Sequence, residues 1–563
     1  MKSRFFPVFA LFLCLAIFFT GCQRKEKLPQ DVADILNGGK PGWLKLGIYG
    51  DPLSLNPVAH IESEHGQMVC NFVHASPLRK LQDGTFAPYL FDSYSLYPGS
   101  SGTVIMEAVW KNNLKWHDDV DFDPRDLEFT FDLMRKPENN SPYLDLLKGI
   151  KEIKSFGRGL RTRIVFAYDS RKLLDLLTIG IVPSHIIKDQ KLDEARVPAA
   201  GTASDSWPLY IDQPVGLGPF KIKSRSKGIY IELVPYEKFF DNATRSSVLV
   251  KSYFDYQQLV SDFRSGRLDW INLPSMLAEQ LKNMNPDGTS FIHYPNPAVL
   301  VWLFNSRNEF LKSVEVRNAL NLIADRKKIG VEMPFAGKPV YKIPLAVPLE
   351  ETYDENQRFA KALDLLDAAG WKDSNGDGIR DKDGKNLEIR LAFNEDNLLR
   401  RSLAEKLIEQ CRLAGIKLIV EPVSWAELVA NKLKTGEFDT ALLSIKLPEF
   451  GNMDSFFHSK AIINGESAAR DFVAEPLNYS GISNPELDQL LEQLDSMLPI
   501  ENPEQKKAEV ARLIEELQPC AFLFKPYDVG LFHAESAVSL AAAPVWNDVF
   551  NWKLLFGPAD SKL

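Results

Sequence analysis

Apolar and polar residues alternate along Leu387–Phe393 (LEIRLAF), the period of a strand. Leu403, Leu407 and Cys411 then recur at the spacing of one helix face, Gly415 closes that helix, and Ile416–Val420 alternates again. Ser424, with Glu427 three residues on, forms a capping box that opens a second helix; Gly436 stops it, and Phe438–Ser444 reads as a third strand. Strand, helix, strand, helix, strand within about 60 residues predicts right-handed crossovers and a mostly parallel sheet. In such sheets ligands sit beyond the carboxyl ends of the strands. That rule singles out Asn394, Glu395 and Asp396 after the first strand, and Ile445 to Asp454 after the third.

Elsewhere the patterning is less regular. Residues 86–135 mix short strands with a helix that starts near Pro124, and 210–260 is strand-rich. Val299–Asn305 (VLVWLFN) is a continuous apolar run that reads as a buried strand. An amphipathic helix follows it over Val314–Ile323, and the stretch reads as a domain junction. No period of 20–50 residues recurs, which argues against a solenoid or propeller.

The N-terminus has a different pattern. Lys2 and Arg4 precede an almost wholly apolar stretch, Phe5–Phe19, which is the layout of an export signal. The stretch ends on Phe19-Thr20-Gly21-Cys22, which resembles the lipobox of bacterial lipoproteins and predicts lipidation at Cys22, with Phe19 where Leu is usual. Two or three acyl chains hold a protein at a membrane far more durably than one. Residues 1–21 are thus the signal peptide and 22–40, carrying Gly38-Gly39, a flexible tether. No later apolar run approaches the roughly 18 to 20 residues needed to span a bilayer. Gln23 after the cysteine favours the outer membrane in a Gram-negative host, so the expected location is exported and anchored by lipid, facing the periplasm or cell exterior.

With 563 residues, 45% apolar and 25% charged, the chain has the make-up of an ordinary globular protein of several domains. A net charge of -9 argues against a nucleic-acid partner. Loss of the signal removes Lys2 and Arg4 and no acid, so the exported part is more acidic still. Cys70, Cys411 and Cys520 are scattered singly, with neither a disulfide framework nor a CxxC pair.

Each candidate for chemistry has a plainer reading. His60, Glu62, Glu64 and His65 are metal-ligand types, but their spacing fits neither HExxH nor HxxEH, and the segment reads as polar; in a strand Glu62 and Glu64 would share one face. Asp373, Asn375, Asp377, Gly378 and Asp381 resemble the start of a calcium loop, yet Gly384 stands where the bidentate Glu is required, so a polar hairpin or helix-to-strand loop stands beside the calcium reading. Ser224-Arg225-Ser226-Lys227 matches SxxK without its partner motifs, GxSxG is absent, and Gly216-Leu217-Gly218 is too short for a dinucleotide fingerprint. No nucleophile, base and orienter set emerges, so the chain is expected not to be an enzyme and to need no cofactor and no metal.

In chain order these motifs resemble the family 5 extracellular solute-binding proteins, the dipeptide and oligopeptide receptors of ABC importers. The resemblance covers nearly all of the chain after the signal. It rests on Leu55-Asn56-Pro57, Asp83-Gly84, Leu114-Lys115-Trp116-His117-Asp118, Gly216-Leu217-Gly218-Pro219-Phe220 with Tyr236, and Ser265-Gly266-Arg267-Leu268-Asp269. It continues through Phe304-Asn305, Val316-Arg317-Asn318-Ala319-Leu320, Ala324-Asp325-Arg326, Gly415-Ile416, Trp425 and Asn478-Tyr479-Ser480. It implies an α/β, three-lobed, hinge-closing periplasmic-binding-protein fold of type II, with mixed and parallel sheets flanked by helices. Lobe one is expected at 41–79, 205–297 and 520–563, lobe two at 80–204 and lobe three at 298–519.

The resemblance further implies a monomeric receptor that encloses a peptide or peptide-like ligand between lobes one and three and delivers it to ABC permease subunits. The site it implies has Glu62, Ser63 and Glu64 on the lobe-one side and Asn394, Glu395, Ile445, Lys446 and Glu449 on the lobe-three side. Two departures matter. Asp119 replaces the glycine of the family's Trp-His-Asp-Gly turn. Ser444-Ile445-Lys446-Leu447-Pro448-Glu449 replaces the Gly-Trp pair and the Asp that meets a peptide ammonium; that Asp position falls on Pro448 or Glu449, according to where one residue is inserted. A non-peptide ligand in the same fold, such as a metal chelate, an oligosaccharide or an anionic solute drawn by Lys446, is the alternative, as is a sensor that partners no permease.

Overall fold

The computed structural model describes residues 28–52, 54–58, 64–81, 84–137, 141–156, 160–187, 214–240, 246–283, 289–295, 298–344, 355–446, 453–463 and 476–533. Cys22, Glu62, Ser63, Glu449, His60 and Pro448 lie outside the described residues.

The fold is α/β with three principal sheets. A seven-stranded mixed sheet runs in the order Thr289–Pro295, Tyr527–His533, Trp270–Leu273, Trp43–Tyr49, Ser247–Tyr253, Tyr230–Pro235, Phe220–Ser226. Its centre is parallel, with Trp43–Tyr49 against Ser247–Tyr253, and its flanks are antiparallel. A four-stranded antiparallel sheet is formed by Phe91–Pro98, Val104–Trp110, Arg161–Phe166 and Ile150–Phe156. One of its faces is solvated, so Val104, Met106, Ala108 and Trp110 are buried at every second position, as expected for an antiparallel sheet covered on one side.

The six-stranded sheet has the order Lys338–Pro339, Cys520–Lys525, Ala298–Phe304, Thr440–Lys446, Glu388–Asn394, Lys417–Val423. The predicted parallel half is present: Glu388–Asn394 pairs in parallel with both Lys417–Val423 and Thr440–Lys446, and the helix Leu398–Leu413 makes the crossover. Ala298–Phe304 joins antiparallel, making the sheet mixed. Its unbroken apolar run follows from burial on both faces: Leu300, Trp302 and Phe304 enter one core, Val299, Val301 and Leu303 the other. The helix Val314–Ile323 follows as the pattern predicts, capped by the Ser313 hydroxyl, which accepts from the Val316 N–H.

Two expectations need correction. The tether assignment of 22–40 fails over Gln30–Leu36, which is a helix with Val32, Ile35 and Leu36 buried against Leu249, Ile271 and Leu531. The boundary at 520 fails as well: Cys520–Lys525 pairs with Ala298–Phe304, and the chain enters the seven-stranded sheet only at Tyr527. Glu64 opens the helix Glu64–Val73 and so is not in a strand.

Candidate strand-end site

The carboxyl ends of the parallel strands Glu388–Asn394, Lys417–Val423 and Thr440–Lys446 lie side by side. The strand ending at Asn394 turns directly into a helix: the Glu395 N–H donates to Val423 O at 2.8 Å, and the Asn397 side chain caps the helix by accepting from the Arg400 N–H at 3.0 Å. This turn places Arg400 in the first helical turn and aims it back over the strand ends.

Arg400 is only 7% exposed. Its Nη1 donates to Asn394 Oδ1, its Nη2 donates to Ser444 Oγ at 3.3 Å, and its guanidinium lies 5.7 Å from the centre of the Trp425 ring. Its Nε has no partner among the described residues. All these partners are neutral, and burial alone pushes the group down to about 10. A helix N-terminus also disfavours a cation. The arrangement therefore has unmet capacity for a negatively charged oxygen, which accepts guanidinium N–H groups in pairs.

Of the residues nominated from sequence, Asn394 is a direct partner of Arg400, and Glu395 is exposed beside it, its carbonyl accepting from Arg401 Nη2 at 2.9 Å. Lys446 is exposed at the end of its strand. Ile445 alternates with it and is buried among Val299, Val301 and Leu443, so its side chain belongs to the core and faces away from Ser444 and Lys446. Glu64 is placed at the start of its helix, and the segment that precedes it leaves the carboxyl end of Trp43–Tyr49. There Tyr49 stacks on Tyr256 at 4.0 Å with both rings parallel to within 4°. Sequence reasoning missed Arg400. The available signal was an arginine at the third position after a capping Asn, where a cation opposes the helix dipole.

The other candidate motifs resolve structurally. The Asp373 carboxylate accepts from the N–H groups of Gly376 at 2.7 Å and Gly378 at 3.0 Å, and Asp381 accepts from the Ser374 N–H and hydroxyl at 2.8 and 2.6 Å, leading into a small hairpin at 381–386. Among the described residues no group of three or more His, Cys, Asp or Glu is gathered to hold a metal. His65 is pushed down to about 4 by burial, opposed by a bond with the Tyr49 backbone. Burial pushes the thiols of Cys70, Cys411 and Cys520 well up, to about 12 for Cys70. No described helix is long and apolar enough to cross a membrane.

Mixed sheets that present polar and cationic residues at the ends of parallel strands have the architecture of a ligand-binding α/β protein. The family model described as bacterial extracellular solute-binding proteins, family 5 Middle, matches residues 111–461, and the chain belongs to this family. The family is one of solute receptors rather than enzymes. The chain is 26% identical over 536 residues to the oligopeptide-binding protein AppA of Bacillus subtilis, covering 92% of each. The ABC transporter substrate-binding protein CtaP of Listeria monocytogenes shares its fold at a TM-score of 0.71 and 19% identity, over 92% of this chain and 99% of that one. NikZ of Campylobacter jejuni, solved with Ni(L-His), does so at 0.64 and 23%, over 88% and 94%.

Proposed function

We propose that this protein is a lipid-anchored extracytoplasmic receptor that captures a peptide-like ligand between two lobes by hinge closure and delivers it to ABC permease subunits. The observation that carries this reading is Arg400: a buried guanidinium whose partners among the described residues are all neutral, at the place where open sheets bind ligands, suits a ligand carboxylate such as a peptide carries. Membership of the solute-binding family and the relative named for oligopeptide binding support it. Cys22 would carry the lipid, and Glu449 would meet the ligand's ammonium group across the cleft from Glu62, Ser63 and Glu64. Lobe one would comprise 41–79, 205–297 and the chain from 526 on, lobe two 80–204 and lobe three 298–525, so that two crossings, at 295–298 and 525–527, form the hinge. The receptor would act as a monomer.

A second reading is favoured by one feature. Arg400, Arg401 and Lys446 gather positive charge at the strand ends, which suits an anionic chelate, and a protein of the same fold is solved with Fe(III)-EDTA. Native mass spectrometry of the protein as purified, followed by calorimetry with a mixed peptide pool, the same pool amidated at its C-termini, and Fe(III)-EDTA, separates the two. The peptide reading expects the free-acid pool to bind, and Arg400→Met to weaken it while leaving the amidated pool unaffected. Glu449→Gln should cost about 2 to 5 kcal/mol, as when one partner of a buried charge pair is removed. Binding of the chelate alone transfers the assignment to the second reading. Binding of none of the three rejects both.

A further inference from the structure

A separate cavity of about 270 Å³ lies between the helices Val314–Ile323, Glu355–Ala368 and Pro503–Leu517, where the chain passes the edge strand Lys338–Pro339. None of its lining residues belongs to the strand-end surface around Arg400. Three cations, Arg358, Lys342 and Lys361, line it against one acid among the described residues, Glu515, which is held by Lys342 at 3.2 Å.

Arg358 is the informative group. It is 7% exposed, yet among the described residues its guanidinium lies on the face of Tyr341, 4.8 Å from the ring centre, with no carboxylate or carbonyl accepting from it. The contrast with Arg326, on the same tyrosine at 5.2 Å, is direct. Arg326 is fully buried, and its N–H groups are spent on the carbonyls of Phe522 at 2.7 Å, Ala324 at 2.8 Å and Asn321 at 2.8 Å. A buried guanidinium left without acceptors is costly, whereas one that faces a solute-sized cavity has a partner whenever an oxyanion occupies it.

We infer that this cavity binds a small oxyanion, either phosphate or a compact polycarboxylate. The planar fork of Arg358 matches two oxygens of such a group, Lys361 at the exposed mouth and Lys342 supply further charge, and the volume suits one such ion and excludes a peptide. The site does not depend on what the strand-end surface binds.

Calorimetric titration of the full chain with inorganic phosphate, and separately with citrate, at ionic strength held constant with chloride, tests the inference. Saturable binding that Arg358→Met weakens about tenfold or more is the expected result. Lys361→Glu changes an exposed residue, leaves the fold intact and should weaken binding likewise; whichever anion binds more tightly identifies the class. Absence of saturable binding for both anions, or binding that Lys361→Glu leaves unchanged, overturns the site.

Discussion

At the scale of single residues, the turn that carries the family resemblance is a knot of buried polar bonds. The His117 N–H donates to Gly216 O at 3.1 Å, its ring Nδ1 accepts from the Gly216 N–H at 3.2 Å, and its Nε2 meets Gly218 O at 2.9 Å. Burial holds His117 down at about 4, so it stays neutral and can serve as donor and acceptor at once. Asp119, where the family has glycine, adopts a left-handed φ of 69°, which Asp tolerates better than most side chains, and its carboxylate accepts from the Tyr236 hydroxyl at 3.1 Å and pairs with Lys238 at 2.7 Å. Gly216-Leu217-Gly218, inconclusive as a nucleotide fingerprint, is explained by proximity: a Cβ at Gly216 would sit 1.9 Å from Val73 O, at the end of the helix Glu64–Val73. Backbone on both sides leaves no flexible neighbour to yield. Gly216→Ala should therefore cost about 1 to 3 kcal/mol, the range for forced overpacking, read as a lowered midpoint in urea.

Among the elements, the helix Gln30–Leu36 shows tertiary contact making structure that local preference does not. A helix of 7 residues is marginal in water by itself. Pro29 precedes it without a side-chain cap, and three apolar positions in a polar stretch give no strong period. Docking of Val32, Ile35 and Leu36 onto the seven-stranded sheet supplies what propensity lacks. Leu36→Ala should destabilise the fold by about 2 to 5 kcal/mol, measured by thermal or urea unfolding; a free tether would show no change. Elsewhere local signals and packing agree: Ser424 caps its helix by accepting from the Glu427 N–H at 3.2 Å, although the helix continues as a π-turn over Leu428–Leu433.

For the whole molecule, the telling contacts are those far apart in sequence. Lys172, beside the four-stranded sheet, forms a buried ion pair with Asp454, and the Ser170 hydroxyl donates to Asp495 Oδ2 at 2.5 Å. Asp169 accepts from the Met497 N–H at 2.7 Å. Burial pushes Asp495 up to about 7, helped by Asp454 and Asp169 and opposed by Lys172. An acid whose folded value is raised contributes stability that is complete below its unfolded value near 3.8 and is lost as pH rises through about 7. Asp495→Asn should remove that loss, so its melting temperature should exceed the parent's at pH 8 and match it near pH 4. The two crossings between the seven- and six-stranded sheets give a second expectation. A hinge at 295–298 and 525–527 predicts a smaller radius of gyration by small-angle scattering when ligand is bound; an unchanged profile with ligand proven bound counts against hinge closure.

The sequence by itself determined the elements whose signals are local. The period of Leu387–Phe393, the face of Leu403, Leu407 and Cys411, the glycine stop at Gly415 and the cap at Ser424 all depend on residues within a turn or two of one another. The ordered motifs carried the family for the same reason. Only the tertiary structure decided which side of a boundary Cys520–Lys525 falls on, that Gln30–Leu36 is docked, that Ile445 points into the core beside an exposed Lys446, and that Arg400 and Arg358 are buried with no carboxylate partner among the described residues. Sheet partners, burial and the absence of a counter-charge are properties of groups distant along the chain, and one-dimensional pattern contains no term for the distance that packing closes.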